Sequence, residues 1–410
     1  MGTDVKVVVL SHRIPFPANK GEKIRTFHQI QYLADCGHEI TVLAPYEHAE
    51  EISYGKALEG RLNIKAIMFP LKAKWLRLAR GLVKNDPLTL SYFYSAGLQK
   101  AFDRLVSSGE YDAVLCTGSA MAPYVFRNPE LAGQGSPVHL RLIMDFMDLD
   151  SDKWRQYQAS SGLPMKIVYG REARLINQLE LRSYERFDEC FFISENEVDL
   201  FSRQLPETRK LKVLGNGINT SAFFPGPRRN ALRKPVFLFT GVMNYRPNED
   251  AVLWFVDALW ERIKAEWPDA EFIVAGMDPS NRIKQLGRLP GITVTGLVED
   301  IVPFYQKADV FIAPFRIARG VQNKVLQALA CGLPVITTRL GLEGIKATPG
   351  EDVLVADTEQ EFFEAIKKVL ETEKLYNSLS LNGAALIQRE YSWDGVLQGL
   401  ARALEVKDCA

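Results

Sequence analysis

The sequence predicts an α/β fold made of two doubly wound, Rossmann-like domains that face a cleft. Its 410 residues are enough for two ordinary domains. In both halves, short runs of consecutive apolar residues alternate with helical patterns, which is typical of a parallel sheet covered by helices on both faces. Between the halves, residues 203–235 are rich in proline and glycine, so we expect the domain boundary there.

The strands are predicted from apolar runs, and the helices from apolar residues that recur every three or four positions. In the first half the predicted strands are 5–10, 39–44, 64–69, 113–117, 138–144 and 190–193. The helices predicted there include 22–35, 97–107 and 164–187. In the second half the predicted strands are 236–240, 271–275, 292–295, 310–313, 334–338 and 353–355. The helices between them are 249–266, 300–307, 322–331 and 359–371.

The end of the chain is predicted to form two more helices, 374–388 and 393–405, and Ser392 is expected to cap the second one. The aromatic residues at its start would anchor this last helix across the first domain. An ordinary terminal helix is the alternative. The predicted domains are 1–205, 206–390 and the C-terminal helix segment 391–410.

The composition is that of a soluble globular protein, with 47% hydrophobic residues and fifty basic residues balancing fifty acidic ones. This balance gives no global charge for binding nucleic acid, and no nucleic-acid partner is expected. The five cysteines are scattered and form no C-x-x-C pair. That favours reduced core residues of a cytoplasmic protein over disulfides or a zinc site. No signal peptide or membrane-spanning segment is predicted.

Residues 314–334 are the most informative stretch of the chain. They follow a predicted strand, and a short helix begins after Gly320. A helix N-terminus has free N–H groups and the positive end of the helix dipole, so it binds anions. Arg319 and Lys324 add two cations where the dipole is already positive. This arrangement favours a negatively charged ligand such as a phosphate.

Ligands of doubly wound folds bind at the carboxyl ends of the strands, and two loops there share the order strand, glycine, cation and helix. The loop 11–25 lacks the G-x-G-x-x-G of a dinucleotide-binding dehydrogenase, but Gly21 would let its backbone approach a ligand. The loop from Gly241 to Asn248 offers Arg246 as a phosphate clamp. Ordinary surface loops with solvated cations are the alternative. Glycines around Gly217 indicate a tight turn near the cleft.

Acidic residues follow the strand predicted at 138–144. Asp145 stands at the strand end and is the candidate for contact with a polar substrate. The Asp-x-Asp patterns that follow would suit a divalent cation. A helix begins near Ser151, however, so we favour helix capping by Asp150 and Asp152. No metal site is predicted, because the histidines also show no ligand spacing.

Residues 72–84 contain five cations and no acid. In a helix, Trp75, Ala79, Leu82 and Val83 would share one face. Such a helix suits peripheral contact with an anionic membrane surface. It suits equally well a plain amphipathic helix that packs on the sheet.

Several short motifs, each weak alone, occur in a specific order and spacing. They are Asp145–Trp154, Asn216–Asn219 followed by Phe224 and Pro225, Gly241–Asn248, Gly296–Asp300, residues 314–334, and Tyr391–Trp393. Over nearly the whole chain they resemble the retaining GT-B glycosyltransferases of family 4, also called group 1. Within that family the chain is most similar to sugar transferases associated with the exosortase/PEP-CTERM system of exopolysaccharide-producing bacteria.

The resemblance implies a nucleotide-sugar donor on the second domain, an acceptor on the first, and a last helix that crosses back to the first domain. It also implies transfer with retention of anomeric configuration and without a metal ion or other cofactor. Lys324, Arg246 and Arg319 would stabilise the leaving diphosphate, and Gln327 would hold the ribose. The other residues expected at the donor are Gly21, Gly217, Gly241, Asn244, Gly320 and Val321.

The chain departs from the family pattern at two acidic positions. The common Glu-x7-Glu is replaced by Arg319 and Gln327. Hydrogen bonds to charged groups contribute roughly 1.5–3 kcal/mol, against about 1 kcal/mol for neutral ones, so a weaker donor affinity is expected. Asp145 stands in the region where the family often has a histidine, and it is the candidate for a catalytic role there.

The sequence therefore predicts a hexosyltransferase-type enzyme that moves a sugar from a UDP- or GDP-linked donor to a lipid-linked or polysaccharide acceptor. Its expected role is in exopolysaccharide biosynthesis, and its expected location is the cytoplasm, with peripheral contact at the inner face of the cell membrane through 72–84. The alternative is a degenerate nucleotide-sugar-binding or scaffold subunit without transfer activity, which Arg319 and Gln327 motivate. A GT-B sugar-nucleotide epimerase is a third hypothesis, with little support from the loops.

Overall fold

The computed structural model describes residues 5–18, 21–71, 74–131, 140–226, 234–318 and 321–404, the side chain of Ser160 excepted. These residues separate into two compact units. One unit runs to Asn216 and also includes residues 396–404, and the other is Gly217–Gly395. The predicted boundary, between residues 205 and 206, precedes this division.

The first unit is built on a parallel sheet. Its described strands are β1 (Lys6–Ser11), β2 (Glu39–Tyr46), β3 (Lys65–Pro70), β4 (Ala113–Thr117), β5 (Arg141–Met147), β6 (Glu189–Phe192) and β7 (Leu211–Val213). They lie in the order β3-β2-β1-β4-β5-β6-β7. The central strands β1 and β4 are apolar and buried nearly throughout, as expected where helices cover both faces of a sheet.

The helices of the first unit alternate with its strands. They are α1 (Gly21–Asp35), α2 (Glu51–Leu62), α3 (Lys74–Val83), α4 (Leu88–Phe93), α5 (Ala96–Ser107), α6 (Ala122–Arg127), α7 (Asp150–Ser160), α8 (Met165–Arg186) and α9 (Glu195–Ser202). In the described parts of the chain, no helix is long and apolar enough to cross a membrane.

The second unit repeats this architecture. Its described strands are β8 (Val236–Thr240), β9 (Glu271–Ala275), β10 (Ile292–Gly296), β11 (Val310–Ala313), β12 (Val335–Thr337) and β13 (Leu354–Val355). Their order is β10-β9-β8-β11-β12-β13, and all neighbours are parallel. The prediction of two parallel-sheet, Rossmann-like units is therefore confirmed.

The second unit has eight described helices before the last one, and the first two of them are continuous. The eight helices are α10 (Arg246–Phe255), α11 (Glu261–Glu266), α12 (Asn281–Leu286), α13 (Val302–Lys307), α14 (Asn323–Ala330), α15 (Arg339–Leu342), α16 (Glu359–Glu371) and α17 (Glu373–Leu386). A π-helical turn, Val256–Trp260, joins α10 to α11, and a second one, Ile387–Tyr391, follows α17.

The last described helix is α18 (Trp393–Leu404). The backbone N–H of Gly395 donates to the Ser392 hydroxyl at 3.0 Å, so the predicted N-cap is confirmed. Gly217 lies against Trp393, the first residue of α18. A Cβ on Gly217 would lie 2.5–2.7 Å from atoms of Trp393, so the contact requires glycine there. The structure thus gives Gly217 a packing role.

Candidate functional site

A cavity of about 840 Å³ lies at the carboxyl end of the second sheet. Strands β8, β9 and β10 bring their ends to it, and α14 contributes its first two turns. The lining residues are Thr240, Gly241, Val242, Asn244, Tyr245, Asn248, Ala275, Gly276, Met277, Leu297, Val298, Ile301, Asn323, Lys324 and Gln327. A hollow of about 570 Å³ also lies along one face of α17, but no strand end reaches it. The rule for doubly wound folds favours the first cavity.

Two glycines form the backbone wall of the cavity. Gly276 has φ +146°, and a Cβ on it would overlap the Gly241 carbonyl oxygen. Gly241 has φ +153°, and a Cβ on it would lie 2.6 Å from the Asn248 amide nitrogen and 3.3 Å from Lys324 Nζ. Both positions therefore need glycine. Neighbouring protein atoms fill the Cβ positions of both glycines, so the glycines allow close packing of the backbone at this wall. The donor role of Gly241 stays a prediction.

Lys324 points its ammonium group into this wall. Its Nζ donates to the Asn248 side-chain oxygen at 2.5 Å and lies 5.0 Å from the Phe315 ring centroid and 5.4 Å from that of Phe239. The Asn248 amide nitrogen in turn donates to the Val242 carbonyl at 2.9 Å, which fixes the orientation of the amide. The lysine is thus held in place by neutral partners.

Burial lowers the pKa of Lys324 from 10.5 to about 8. None of the lining residues given above is an Asp or a Glu that could offset this effect. A desolvated cation without a counter-ion is unfavourable, and an anionic ligand would relieve that cost. The dipole of α14, whose second residue is Lys324, acts in the same direction.

A hydrogen-bonded chain of three side chains lies beneath the cavity. The hydroxyls of Thr240 and Tyr305 are 2.6 Å apart, and Tyr305 donates to the Gln327 side-chain oxygen at 3.1 Å. Tyr305 is fully buried, and burial raises the pKa of its hydroxyl. With its oxygen bonded to Tyr305, Gln327 presents its amide N–H₂ group as the remaining donor. The amide of Gln327 can therefore hold a ribose by donating a hydrogen bond to one of its hydroxyls.

Residues 234–372 match the family model described as glycosyl transferases group 1. The second unit carries a group 1 glycosyltransferase domain. The cavity described above lies entirely within it, because its lining runs from Thr240 to Gln327.

Two curated relatives extend the similarity beyond the group 1 domain. The chain is 22% identical over 399 residues to an uncharacterised 44.6 kDa protein of the cps region of Klebsiella pneumoniae, covering 94% of this chain and 96% of that protein. It is 23% identical over 247 residues to a GDP-mannose-dependent monoacylated alpha-(1-6)-phosphatidylinositol monomannoside mannosyltransferase of Corynebacterium glutamicum. That match covers 53% of this chain and 62% of the relative.

Solved structures show the same fold. Anabaena HepE in complex with UDP is 15% identical, with a TM-score of 0.60, and the match covers 98% of this chain and 99% of that one. Sucrose-phosphate synthase from Thermosynechococcus elongatus is 17% identical, with a TM-score of 0.56 and coverages of 97% and 98%. At these identities the similarity establishes the fold, and the predicted GT-B class is confirmed.

The group 1 domain holds most of the residues predicted for the donor, but it does not bring them all into the cavity. Lys324, Gln327, Gly241 and Asn244 line it. Arg246 is exposed and begins α10, outside the lining. Val321 is 42% exposed and precedes α14, also outside the lining. Arg319 and Gly320 lie outside the described residues. The donor roles of all these residues stay predictions.

The first-unit candidates, outside the group 1 domain, have different surroundings. Gly21 is the exposed first residue of α1, and a Cβ added to it would meet no other atom within 4 Å. Asp145 lies inside β5 rather than at its end, because the apolar run continues through Phe146 and Met147. It has no exposed surface. Neither residue lines the cavity at the end of the second sheet.

Asp145 forms a buried ion pair. Arg25 donates to it through Nε at 2.7 Å and Nη2 at 2.9 Å, and the Gln29 amide donates at 2.6 Å. Arg25 also donates to the Gly215 carbonyl at 2.8 Å. The carboxylate is therefore taken up by protein groups, and the predicted contact of Asp145 with a substrate stays a prediction. Arg25 thus ties α1 to β5 through Asp145 and to the end of the first unit's main segment through Gly215.

The Asp-x-Asp residues also differ from expectation. Asp150 and Asp152 lie in the first turn of α7, and neither caps the helix through its side chain. Asp150 accepts from the Ser119 hydroxyl at 3.0 Å, and burial raises its pKa. Among the described residues, no group of three or more His, Cys, Asp or Glu side chains is placed to hold a metal ion.

Sequence reasoning missed Asn248 and Tyr305 as parts of the site, and it missed Met277 and Leu297 of the lining. The last two follow the strands β9 and β10 closely, so the strand-end rule, applied to every strand, finds them. Asn248 and Tyr305 act through contacts with Lys324 and Gln327, which lie far from them in the sequence.

Proposed function

We propose that the protein is a glycosyltransferase that moves a sugar from a UDP- or GDP-linked donor to a lipid-linked or polysaccharide acceptor. One observation carries the proposal: the Lys324 ammonium is desolvated at a helix N-terminus, in a cavity whose described lining holds no acid. A nucleoside diphosphate supplies the missing negative charge. The cavity volume of about 840 Å³ is in the range of small-molecule sites.

In the proposed reaction, the bond between the sugar and the diphosphate breaks and negative charge develops on the leaving group. Lys324 and the N–H groups at the start of α14 stabilise that charge, since they are fixed in place before the reaction. Arg246 and Arg319 are proposed to add to the positive field. The Gln327 amide donates to a ribose hydroxyl. Because protein cations and the helix dipole stabilise the diphosphate, we propose transfer without a metal ion. Retention of the anomeric configuration is proposed from the sequence resemblance.

Three comparisons support the finer parts of the proposal without deciding among them. HepE was solved with UDP, and the Corynebacterium relative uses GDP-mannose and acts on a phosphatidylinositol mannoside. The Klebsiella relative comes from a cps region. We therefore keep both donor bases and propose a role in exopolysaccharide biosynthesis. Its link to the exosortase/PEP-CTERM system rests on the sequence resemblance. The proposed location is the cytoplasm and the inner face of the membrane, with contact through 72–84.

A thermal-shift screen of nucleotides and nucleotide sugars tests the donor. A ligand at 100 times its Kd stabilises the folded state by about 2.7 kcal/mol, so a matching nucleotide raises the melting temperature by several degrees in a concentration-dependent way. NMR of the anomeric product then tests retention, and turnover after treatment with EDTA tests metal independence. The proposal is contradicted when no nucleoside diphosphate or nucleotide sugar shifts the melting temperature.

The second candidate is a nucleotide-sugar-binding or scaffold subunit without transfer activity. It is favoured by the absence of Asp, Glu and His from the described cavity lining and by the burial of Asp145. The same screen distinguishes the two. A binding subunit gives the melting shift, but neither hydrolyses nor transfers any donor that stabilises it.

A further inference from the structure

Helix α3 turns its apolar side to solvent. The exposed fractions are 78% for Trp75, 73% for Leu76 and 87% for Val83, and Leu82 is 56% exposed. The packed side is formed around Gly81, which is buried, and a Cβ there would overlap the Ser91 side chain of α4. The face that sequence reasoning assigned either to the sheet or to a membrane is therefore not packed on the described sheet.

A second apolar surface lies at the turn between α7 and α8. Leu163 is 75% exposed and Ile167 is 68% exposed. Three aromatic rings pack between the two helices of this hairpin, since the ring centroids of Trp154, Tyr157 and Tyr169 lie 5.5–5.9 Å apart. The exposed residues Leu163 and Ile167 thus lie on a hairpin whose two helices are packed against each other.

The two apolar surfaces are joined within the first unit. Arg171, near the start of α8, donates to the Asp86 carbonyl at 3.1 Å, just after α3 ends. The neighbouring Glu172 accepts from the backbone N–H of Leu88 at 2.8 Å. These contacts fix the start of α8 against the segment that follows α3. The exposed residues of α3 and of the hairpin therefore lie on either side of one junction.

The two segments that carry the exposed apolar residues are rich in cations. Residues 72–84 contain five cations and no acid, and residues 153–167 contain three cations and no acid, in a chain whose charges balance overall. Arg77 turns inward, with its guanidinium 4.0 Å from Glu47, whereas Arg80 and Lys84 are exposed. Exposed large apolar side chains flanked by cations are the composition of helices that lie on anionic bilayers.

We propose that α3 and the α7–α8 hairpin together form a docking surface for an anionic lipid bilayer. In this surface the side chains Trp75, Leu76, Leu82, Val83, Leu163 and Ile167 enter the headgroup region. Arg80, Lys84 and Lys166 contact the lipid phosphates. A bilayer fits better than a protein partner, because the centres of protein interfaces are depleted in lysine and unpaired charge. Tryptophan also favours the membrane interface. The inference rests on this surface alone and not on sugar transfer.

Flotation of the full chain with vesicles tests the proposal. We expect binding to vesicles of phosphatidylcholine with about 30% phosphatidylglycerol, much weaker binding to phosphatidylcholine alone, and a decrease between about 0.05 and 0.5 M salt. The paired variants Trp75→Ser with Val83→Ser, and Leu163→Ser with Ile167→Ser, should each lower the bound fraction about tenfold. Leu381→Ser, at a residue 60% exposed on α17 of the other unit, is the matched control.

Charge is tested separately. Arg80→Glu with Lys84→Glu should abolish the dependence on phosphatidylglycerol, whereas Arg282→Glu with Arg288→Glu, at exposed cations of the second unit, should leave it intact. All these side chains are exposed, so we expect the melting temperatures of the variants to stay unchanged. Measuring them verifies that the variants fold.

Three results would overturn the proposal. One is the absence of binding to any vesicle, and another is binding that both serine pairs leave unchanged. The third is a concentration-dependent dimer in lipid-free solution that the serine pairs dissociate, which would assign the surface to self-association. Nucleotide-induced melting shifts of the same variants keep the two proposals separate, because they report on the cavity of the second unit and do not require lipid.

Discussion

Both units hold a cation near the carboxyl edge of their sheet, and the two cations have opposite surroundings. In the first unit, the Arg25 side chain is 2% exposed and the carboxylate of Asp145 neutralises it through two hydrogen bonds. In the second unit, Lys324 meets the neutral amide of Asn248 and two aromatic rings, and its pKa falls to about 8.

The difference shows that charge at a strand end does not by itself mark a ligand site. A buried ion pair satisfies both of its members and holds the fold together. A desolvated cation with neutral partners remains unsatisfied until an anion binds. Compensation of charge, rather than its position, therefore separates the structural cation of the first unit from the candidate ligand-binding cation of the second.

The largest effect is expected from breaking the compensated pair. Asp145→Ala leaves Arg25 buried without its counter-ion and should lower the free energy of unfolding by about 3–5 kcal/mol, measured by urea denaturation. The folded fraction of Asp145→Ala should bind nucleotide with the affinity of the wild type. Wild-type stability combined with lost turnover would instead assign Asp145 to catalysis.

Giving Lys324 a carboxylate partner, as Arg25 has in Asp145, should cause the largest change in nucleotide binding. Asn248→Asp places a carboxylate where Lys324 now meets an amide oxygen at 2.5 Å. The new ion pair should raise the pKa of Lys324 and weaken nucleoside diphosphate binding about 10- to 100-fold by calorimetry, which corresponds to the loss of a charge-assisted contact. Asn281→Asp, at the exposed start of α12, is a control that adds the same charge outside the cavity lining. Undiminished binding by Asn248→Asp would contradict the role of Lys324.

The pH dependence should have two opposite signs. Between pH 8 and 10.5, the unfolded chain binds a proton at Lys324 that the folded chain has lost, so the ligand-free protein gains stability as pH rises through this window. A diphosphate needs the charged amine, so nucleotide affinity should fall about tenfold from pH 7 to 9. Lys324→Met should remove both trends relative to wild type, and their persistence in this variant would refute the assignment.

The smallest effect is expected beneath the cavity. Tyr305→Phe removes the hydroxyl that joins Thr240 to Gln327 and should cost about 1 kcal/mol of stability. The Gln327 amide then loses its fixed orientation, so the donor KM should rise a few-fold while kcat changes less. Tyr124→Phe is the matched control, because that buried hydroxyl bonds to Ser95 and Phe93 in the first unit. An equal change in KM for both variants would deny Gln327 a role at the ribose.

The fold could be predicted from the sequence because its central strands are long apolar runs. The strand β7 was missed because it is short and only Leu211 of it is buried. The helix α2 is not among the helices named from the sequence, and Gly55 and Leu58 are its only buried residues among those described, which is too few for a clear periodic pattern. Elements at the margins of a sheet bury little, and a pattern of burial is what sequence reasoning detects.

The site was predicted only where its signal is local. Lys324 was found because a cation and a helix N-terminus are adjacent in the sequence. Its partner Asn248 is 76 residues away, and the partner Arg25 of Asp145 is 120 residues away. Without knowledge of those partners, no sequence pattern indicates that the carboxylate is neutralised and that the amine is not. The two charges therefore received similar roles until the structure separated them.

The role of Lys324 as the diphosphate-binding cation is tested by calorimetric binding of UDP and uridine, and of GDP and guanosine, to the wild type and to Lys324→Met. We expect the wild type to bind one diphosphate at least about tenfold more tightly than its nucleoside, and the variant to lose most of this difference. Lys284→Met, at an exposed lysine of α12, should behave as wild type. A diphosphate preference that survives in Lys324→Met would contradict the assignment of Lys324 to the diphosphate.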